Sequence, residues 1–260
     1  MLTKNNIKYI NSLKYKKYRA KEHKFIIEGS RILSEIIKSI KNRTKIKSSY
    51  YEIEKIWYTE KYFIEGNDAF INEIKVDFEN EVISEKEIKC ISNVVNSPGI
   101  IALISYNVNQ NISFLGPALI LDDISNPGNL GAIFRSAEWF GINNIYLSSN
   151  TVDPYNPKVI QSSAGAHFHI NSIVQGNIIN FIKKYKDRGF KIISTSLNGI
   201  DVNKINENNN WCLILGNEAK GVSSEINKYA DEIVTINKFG NVESLNVAMA
   251  GSIILSHLIN

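Results

Sequence analysis

The chain of 260 residues is 43% hydrophobic and carries a formal net charge of +4. That composition supports two compact domains or one large one; its two cysteines, Cys90 and Cys212, form neither a disulfide framework nor a zinc-type pair and read as small core residues. No run approaches the roughly 18 apolar residues of a bilayer span, and the basic N-terminus lacks the apolar core of a secretory signal, so the cytoplasm is the expected compartment.

The charge is unevenly spread. Residues 1–50 hold 14 Lys and Arg against 3 Asp and Glu, while the rest of the chain holds 16 against 23. Within this cationic opening, KYKKYRAKEHKF (14–25) interleaves Tyr15, Tyr18 and Phe25 with Lys14, Lys16, Lys17, Arg19, Lys21 and Lys24. Phosphate-attracting charge beside stacking surfaces suits RNA, and a solvated helix face is the competing reading. Next, FIIEGSRILSEIIKSI (25–40) starts as an apolar run and continues at helical spacing through Ile32, Leu33, Ile36, Ile37 and Ile40, which predicts a strand passing into a helix around Gly29. KIWYTEKYF, INEIKVDF and EVISEKEIKCIS alternate short β-rich and charged segments, and GIIALISY (99–106) reads as a closing strand. Together they predict a small α/β unit over 1–106, followed by a polar, turn-rich linker at 107–117.

From Ala118 to the end, apolar strands alternate with amphipathic helices, which implies an α/β domain with a parallel sheet. Strands are predicted at 118–124, 143–149, 167–173, 191–196, 212–216 and 232–236, with a closing helix over 243–259. In such a sheet the turns that follow the strands gather on one edge, the usual ligand edge. Four of them, SNPGNLG (125–131), TSLNG (195–199), GNEAKG (216–221) and NKFGNVESLN (237–246), offer glycine for close backbone approach and Asn, Ser or Glu for hydrogen bonding. Neither GxGxxG nor a P-loop pattern accompanies them. His167 and His169 fall two apart on a predicted strand with no carboxylate cluster at metal-site spacing, so no metal is expected.

NPGNLGAIFRSAEWFGI, LILGNEAKG and ESLNVAMAGSIIL, in that order, resemble the three signature motifs of the SpoU (TrmH-like) RNA ribose 2'-O-methyltransferases. YRAKEHKFIIEGSRILSEI is similar to the substrate-binding domain that many members carry ahead of them. The resemblance implies a SPOUT fold with a deep trefoil knot, S-adenosylmethionine held bent in the knot loops, and a homodimer that completes the active site. Carried over by motif position, it puts Thr195, Gly216, Asn217, Ile236 and Leu245 around the cofactor and makes Asn129, Arg135, Glu218, Ser244 and Asn246 the catalytic set. A ribose hydroxyl attacking a sulfonium methyl needs in-line positioning and a route for its proton, and needs no metal. Arginine is a poor base, so Arg135 is expected to anchor the adjacent phosphate and polarise the hydroxyl. Helix capping competes with catalysis for Ser244, as core packing competes with ligand contact for Ile236 and Leu245. Ala219, Asn237 and Gln161 depart from the family's usual glycine, proline and arginine. The implied reaction is methylation of structured RNA, ribosomal ahead of transfer RNA; antibiotic-resistance methylation and catalytically silent RNA binding are the alternatives.

Overall fold

A computed structural model describes residues 1–43, 50–108, 114–205 and 210–259. Contacts group the chain into two units, Met1–Asn109 with Tyr155–Phe168, and Gln110–Pro154 with His169–Asn260. Among the described residues no helix is long and apolar enough to cross a membrane.

The first unit runs α1 (Lys4–Ser12), α2 (Lys16–Glu22), β1 (Lys24–Glu28), α3 (Ser30–Arg43), β2 (Tyr51–Thr59), the single turn α4 (Glu60–Tyr62), α5 (Asp68–Asp77), β3 (Asn80–Ile83), α6 (Glu85–Ile91) and β4 (Ile100–Tyr106). Its sheet has the order β1-β4-β2-β3 and is antiparallel except for the β2-β3 pair. Successive side chains on a strand face opposite layers. Phe25, Ile27, Ala102 and Ile104 pack with Leu33 and Ile36 of α3 and Ile71 and Ile74 of α5, whereas Ile26, Ile101 and Leu103 pack with Ile10 of α1 and Ile88 and Ile91 of α6. Covering both faces explains the unbroken apolar run of GIIALISY. INEIKVDF, read among the β-rich segments, instead lies mostly in α5, where Ile71 and Ile74 are buried at helical spacing.

The second unit opens with β5 (Ala118–Leu121), α7 (Pro127–Trp139) and β6 (Asn144–Ser148); the chain then passes through α8 (Pro157–Ser163), which counts with the first unit. It continues with β7 (Ser172–Gly176), α9 (Ile178–Lys186), β8 (Lys191–Asp201), β9 (Trp211–Leu215), α10 (Ser224–Asn227), β10 (Glu232–Thr235) and α11 (Val247–Ile259). The sheet order is β10-β8-β9-β5-β6-β7 with every pair parallel, the parallel sheet that the alternating pattern implied. Register pairs Leu121 with Leu215, and the Asp122 N–H donates to the Leu215 carbonyl at 2.9 Å. The turns after β5 and β9 therefore begin side by side, although they are far apart in sequence. Helices α7 and α11 pack together, with the Ser136 and Ser252 hydroxyls 2.6 Å apart.

Several expectations are corrected. The strand expected at 167–173 begins only at Ser172; Ala166–Phe168 is a 3-10 turn. It follows two left-handed residues, Ala164 (φ 51°) and Gly165 (φ 95°), and a Cβ on Gly165 would lie 2.5 Å from the Glu35 Cβ. The domain expected over 118–260 is thus interrupted, because Tyr155–Phe168 joins the first unit's core. There Tyr155 stacks on Tyr106 at 3.9 Å and on Phe25 at 5.1 Å, and Phe168 stacks on Phe25 at 6.3 Å. His167 is buried in the same cluster, and burial pushes its imidazole down to about 3. Cys90 is exposed rather than in the core; Cys212 is buried, which pushes its thiol up. β8 runs on to Asp201 because, after a bulge, Ile200 and Asp201 pair with Val234 and Thr235. α11 starts at Val247 rather than at 243. Of the expected linker, 109–113 lie outside the described residues.

Candidate active site

The bulged middle of β8 and the turns after β9 and β10 line a cavity of about 760 Å³, which takes in all five residues expected around the cofactor, Thr195, Gly216, Asn217, Ile236 and Leu245. A second cavity of about 400 Å³ shares Asn217, Glu218, Ser244 and Leu245 with it and adds Asn129 and Asn246. Local sequence explains the shape. A Cβ on Gly216 would stand 2.2 Å from the backbone of Gly221 and Val222, so the 216–221 turn folds back on itself only with glycine at its start. Asn217 accepts from the Ala219 and Lys220 N–H groups at 2.9 and 3.1 Å and donates to the Asp123 carbonyl at 2.9 Å, tying the turn after β9 to that after β5. Ala219 does not adopt a positive φ, so the alanine in place of the usual glycine brings no strain. Thr195 spends its hydroxyl on the Ile214 carbonyl at 3.1 Å.

The two helices at the site begin with asparagine caps. Asn126 accepts from the Gly128 N–H at 2.8 Å, with Pro127 as the first helical residue of α7. Asn246 accepts from the Ala248 N–H at 2.9 Å at the start of α11. The cap weighed for Ser244 therefore belongs to Asn246, and Ser244 makes no hydrogen bond among the described residues. Asn246 Nδ2 donates to Asn129 Oδ1 at 2.8 Å, and Asn129 Nδ2 donates to Glu218 Oε1 at 2.8 Å. Glu218 also accepts, at 3.4 Å, from the Ser125 hydroxyl and the Asn126 N–H. Partial burial raises its pKa, but the Asn129 amide and neighbouring backbone N–H groups outweigh it and hold the carboxyl below its ordinary range. Ser125, Asn126 and Asp123 were not singled out from sequence; Asn before Pro-Gly, a helix-start signal, was the available clue for Asn126.

Arg135 stands apart. It is exposed, lines neither cavity and has no hydrogen-bond or ion-pair partner among the described residues. Of the basic stretch, Lys16, Lys17 and Lys21 are exposed along α2. Lys24 pairs with Glu54 at 2.7 Å, and Lys14 donates to the Ser92 carbonyl at 2.9 Å. Arg19 corrects the expectation outright. It is buried and its Nη1 donates to the Leu13 and Lys14 carbonyls at 2.9 and 2.7 Å, so it fastens the α1–α2 turn and is closed to RNA.

Most of the residues from Lys238 to Leu245 line the larger cavity, and none of their backbone N–H groups donates within the described residues. Free main-chain donors among apolar side chains can read an adenine edge, and the volume falls within the roughly 300–1,000 Å³ of cofactor sites, so the residues present fit S-adenosylmethionine. A family model described as the SpoU rRNA methylase family matches residues 116–256, and one described as an MRM3-like substrate binding domain matches residues 4–102. The chain belongs to the SpoU rRNA methylase family. It is 28% identical to the 23S rRNA (guanosine(2553)-2'-O)-methyltransferase RlmP of Bacillus subtilis over 97% of this chain and 95% of that one. Among solved structures, a TrmH-family protein of Porphyromonas gingivalis superposes with a TM-score of 0.84 at 28% identity, covering 99% of this chain and 98% of that one. An AdoMet-bound rRNA methyltransferase of Sinorhizobium meliloti does so with a TM-score of 0.81 at 25% identity, covering 99% and 95%. As a SpoU member the chain is a methyltransferase that uses S-adenosylmethionine.

Proposed function

We propose that this SpoU protein methylates a ribose 2'-hydroxyl of ribosomal RNA in the cytoplasm, acting as a homodimer. The observation that carries the reading is the chain Asn246–Asn129–Glu218 in the lining of the smaller cavity, whose Glu218 also lines the larger one. The larger cavity takes the adenosyl group and the smaller one the acceptor ribose. S-adenosylmethionine, when bound, supplies an electrophilic methyl on a sulfonium. An acceptor oxygen held in line with that methyl would take it, leaving the pair of the broken carbon–sulfur bond on sulfur and the hydroxyl proton to solvent. Glu218, ionised at neutral pH, fixes the Asn129 amide, and Asn129 in turn fixes the acceptor. Ser244 has a hydroxyl to offer to either ligand.

Arg135 lines neither cavity of its own chain, and in the homodimer of this reading it anchors the acceptor phosphate. Trp139 of α7 and Met249 and Ile253 of α11 are exposed, an apolar surface that a second copy would cover. The exposed lysines of α2 give the RNA its electrostatic footing. RlmP, similar along its whole length, is named for 23S rRNA, which favours ribosomal over transfer RNA. The test is transfer of labelled methyl to a 23S rRNA transcript, with the labelled nucleotide then replaced by its 2'-deoxy form. Transfer should stop while binding persists, because the 2'-hydroxyl is the acceptor. Label retained on the deoxy nucleotide, or acceptance of transfer RNA alone, overturns the proposal.

A further inference from the structure

The loop from Asn237 to Asn246 carries two side chains that methyl transfer leaves unused, Lys238 and Phe239. Phe239 is 98% exposed, yet it is the sole aromatic residue among those lining the larger cavity. Phe114 and Phe181 cover Tyr146 and Phe190 covers Tyr185, whereas Phe239, like the exposed Trp139 of α7, meets no ring among the described residues. Two cations share the lining, Lys238 beside it in sequence and Lys220 on the turn after β9. Both are exposed and neither has an ion-pair partner among the described residues.

A bare phenyl ring on a polar loop calls for a partner with a flat apolar face. The chain neighbours of Phe239 are polar or small, Asn237, Lys238, Gly240 and Asn241, and the exposed apolar residues of the same lining, Leu197, Val242 and Leu245, are aliphatic. A nucleobase offers the face and its phosphates meet the lysines, the combination that single-stranded RNA sites use. We propose that Phe239 stacks on an unpaired base of the substrate RNA at the mouth of the cavity, with Lys220 and Lys238 holding the phosphates beside it. The inference rests on the RNA-methylation reading and assigns that site its grip on the nucleotide.

The experiment compares wild type with Phe239→Ala, Phe239→Leu and Phe239→Trp, using a 23S rRNA transcript as probe. Filter binding gives RNA affinity, methyl transfer gives KM and kcat, calorimetry gives cofactor affinity, and sedimentation gives oligomeric state. Phe239→Ala and Phe239→Leu should weaken RNA binding and raise the RNA KM about tenfold, and Phe239→Trp should restore both. Cofactor affinity and sedimentation should stay at wild-type values. Replacing Lys220 and Lys238 together by Gln should lower the slope of log affinity against log salt by between about one and two. Wild-type RNA affinity in Phe239→Ala overturns the proposal. So does equal activity of the Leu and Trp variants, which would make the ring an apolar filler; a lost cofactor affinity would make it an adenine contact, and a changed sedimentation a contact between copies. If the wild type binds the transcript without methylating it, the functional reading fails, and the binding comparison still decides the role of Phe239.

Discussion

Asn246 does two separable jobs, and one substitution divides them. Its Oδ1 caps α11 through the Ala248 N–H at 2.9 Å, while its Nδ2 donates to Asn129 at 2.8 Å. In Asn246→Asp the acceptor stays and gains a favourable position at a helix N-terminus, but the donor is gone. Asn129 could turn its amide toward the new carboxylate only by presenting its oxygen to Glu218, which is ionised and has no proton to give. The aspartate variant should therefore stay within about 0.5 kcal/mol of wild type, because the cap is kept and the lost bond is exposed. Asn246→Ala loses the cap as well and should cost about 1 kcal/mol more. Methyl transfer should fall in both, by about 10- to 100-fold, since a displacement near 1 Å at a positioning group is worth about that much. Cofactor affinity should change little, because Asn246 lines the smaller cavity alone. Urea denaturation, calorimetry with S-adenosylmethionine and single-turnover transfer separate these terms. An aspartate variant with wild-type turnover would refute the positioning role of the chain of amides, and one as unstable as the alanine variant would refute the division of labour.

Arg135→Ala should abolish transfer with cofactor affinity within a few-fold of wild type, and Arg135→Lys should not rescue it, because a point charge lacks the planar fork that grips phosphate in two places; full activity of the lysine variant removes the assigned role. Reversing Lys16, Lys17 and Lys21 to Glu should weaken RNA binding and flatten its salt dependence at an unchanged melting temperature. Arg19→Ala should instead lower stability by about 1–3 kcal/mol, since two carbonyls lose a charged donor. His167, pushed down to about 3 by burial, stays neutral in the folded protein. Its contribution is intact above the unfolded value of about 6.5 and is lost as pH falls from there toward 3, so His167→Phe should flatten that part of the stability curve measured by urea titration at a series of pH values.

The motif letters fall together around two cavities because they encode local geometry. Gly216 permits a turn that a Cβ would block, and Asn126 before Pro127 starts α7 whatever lies around it. The same letters could not place Arg135. Its position in α7 is fixed by the helix, but its distance from the cavities depends on which face of α7 turns toward them. Charge counting failed at Arg19 for a related reason, since a count records residue type and is blind to the carbonyls left open where α1 ends.

The segment from Tyr155 to Phe168 marks the physical limit of periodicity. HFHIN, at the start of HFHINSI, alternates polar and apolar residues as a half-buried strand does, and a period of two over five residues reads the same whether partners lie on a neighbouring strand or on a distant core. What decides is backbone conformation at Ala164 and Gly165, both left-handed, which ends α8 and turns His167 and Phe168 into the aromatic cluster of Phe25, Tyr51 and Tyr155. Those rings come from parts of the chain more than 100 residues apart. No local window contains such a pairing, so the boundary drawn at a polar linker follows composition, while the cores follow side-chain burial. Residues 1–106 accordingly lack part of their own core, and Tyr155, Ile160 and Phe168 complete it from within the stretch that the motifs assign to the catalytic domain.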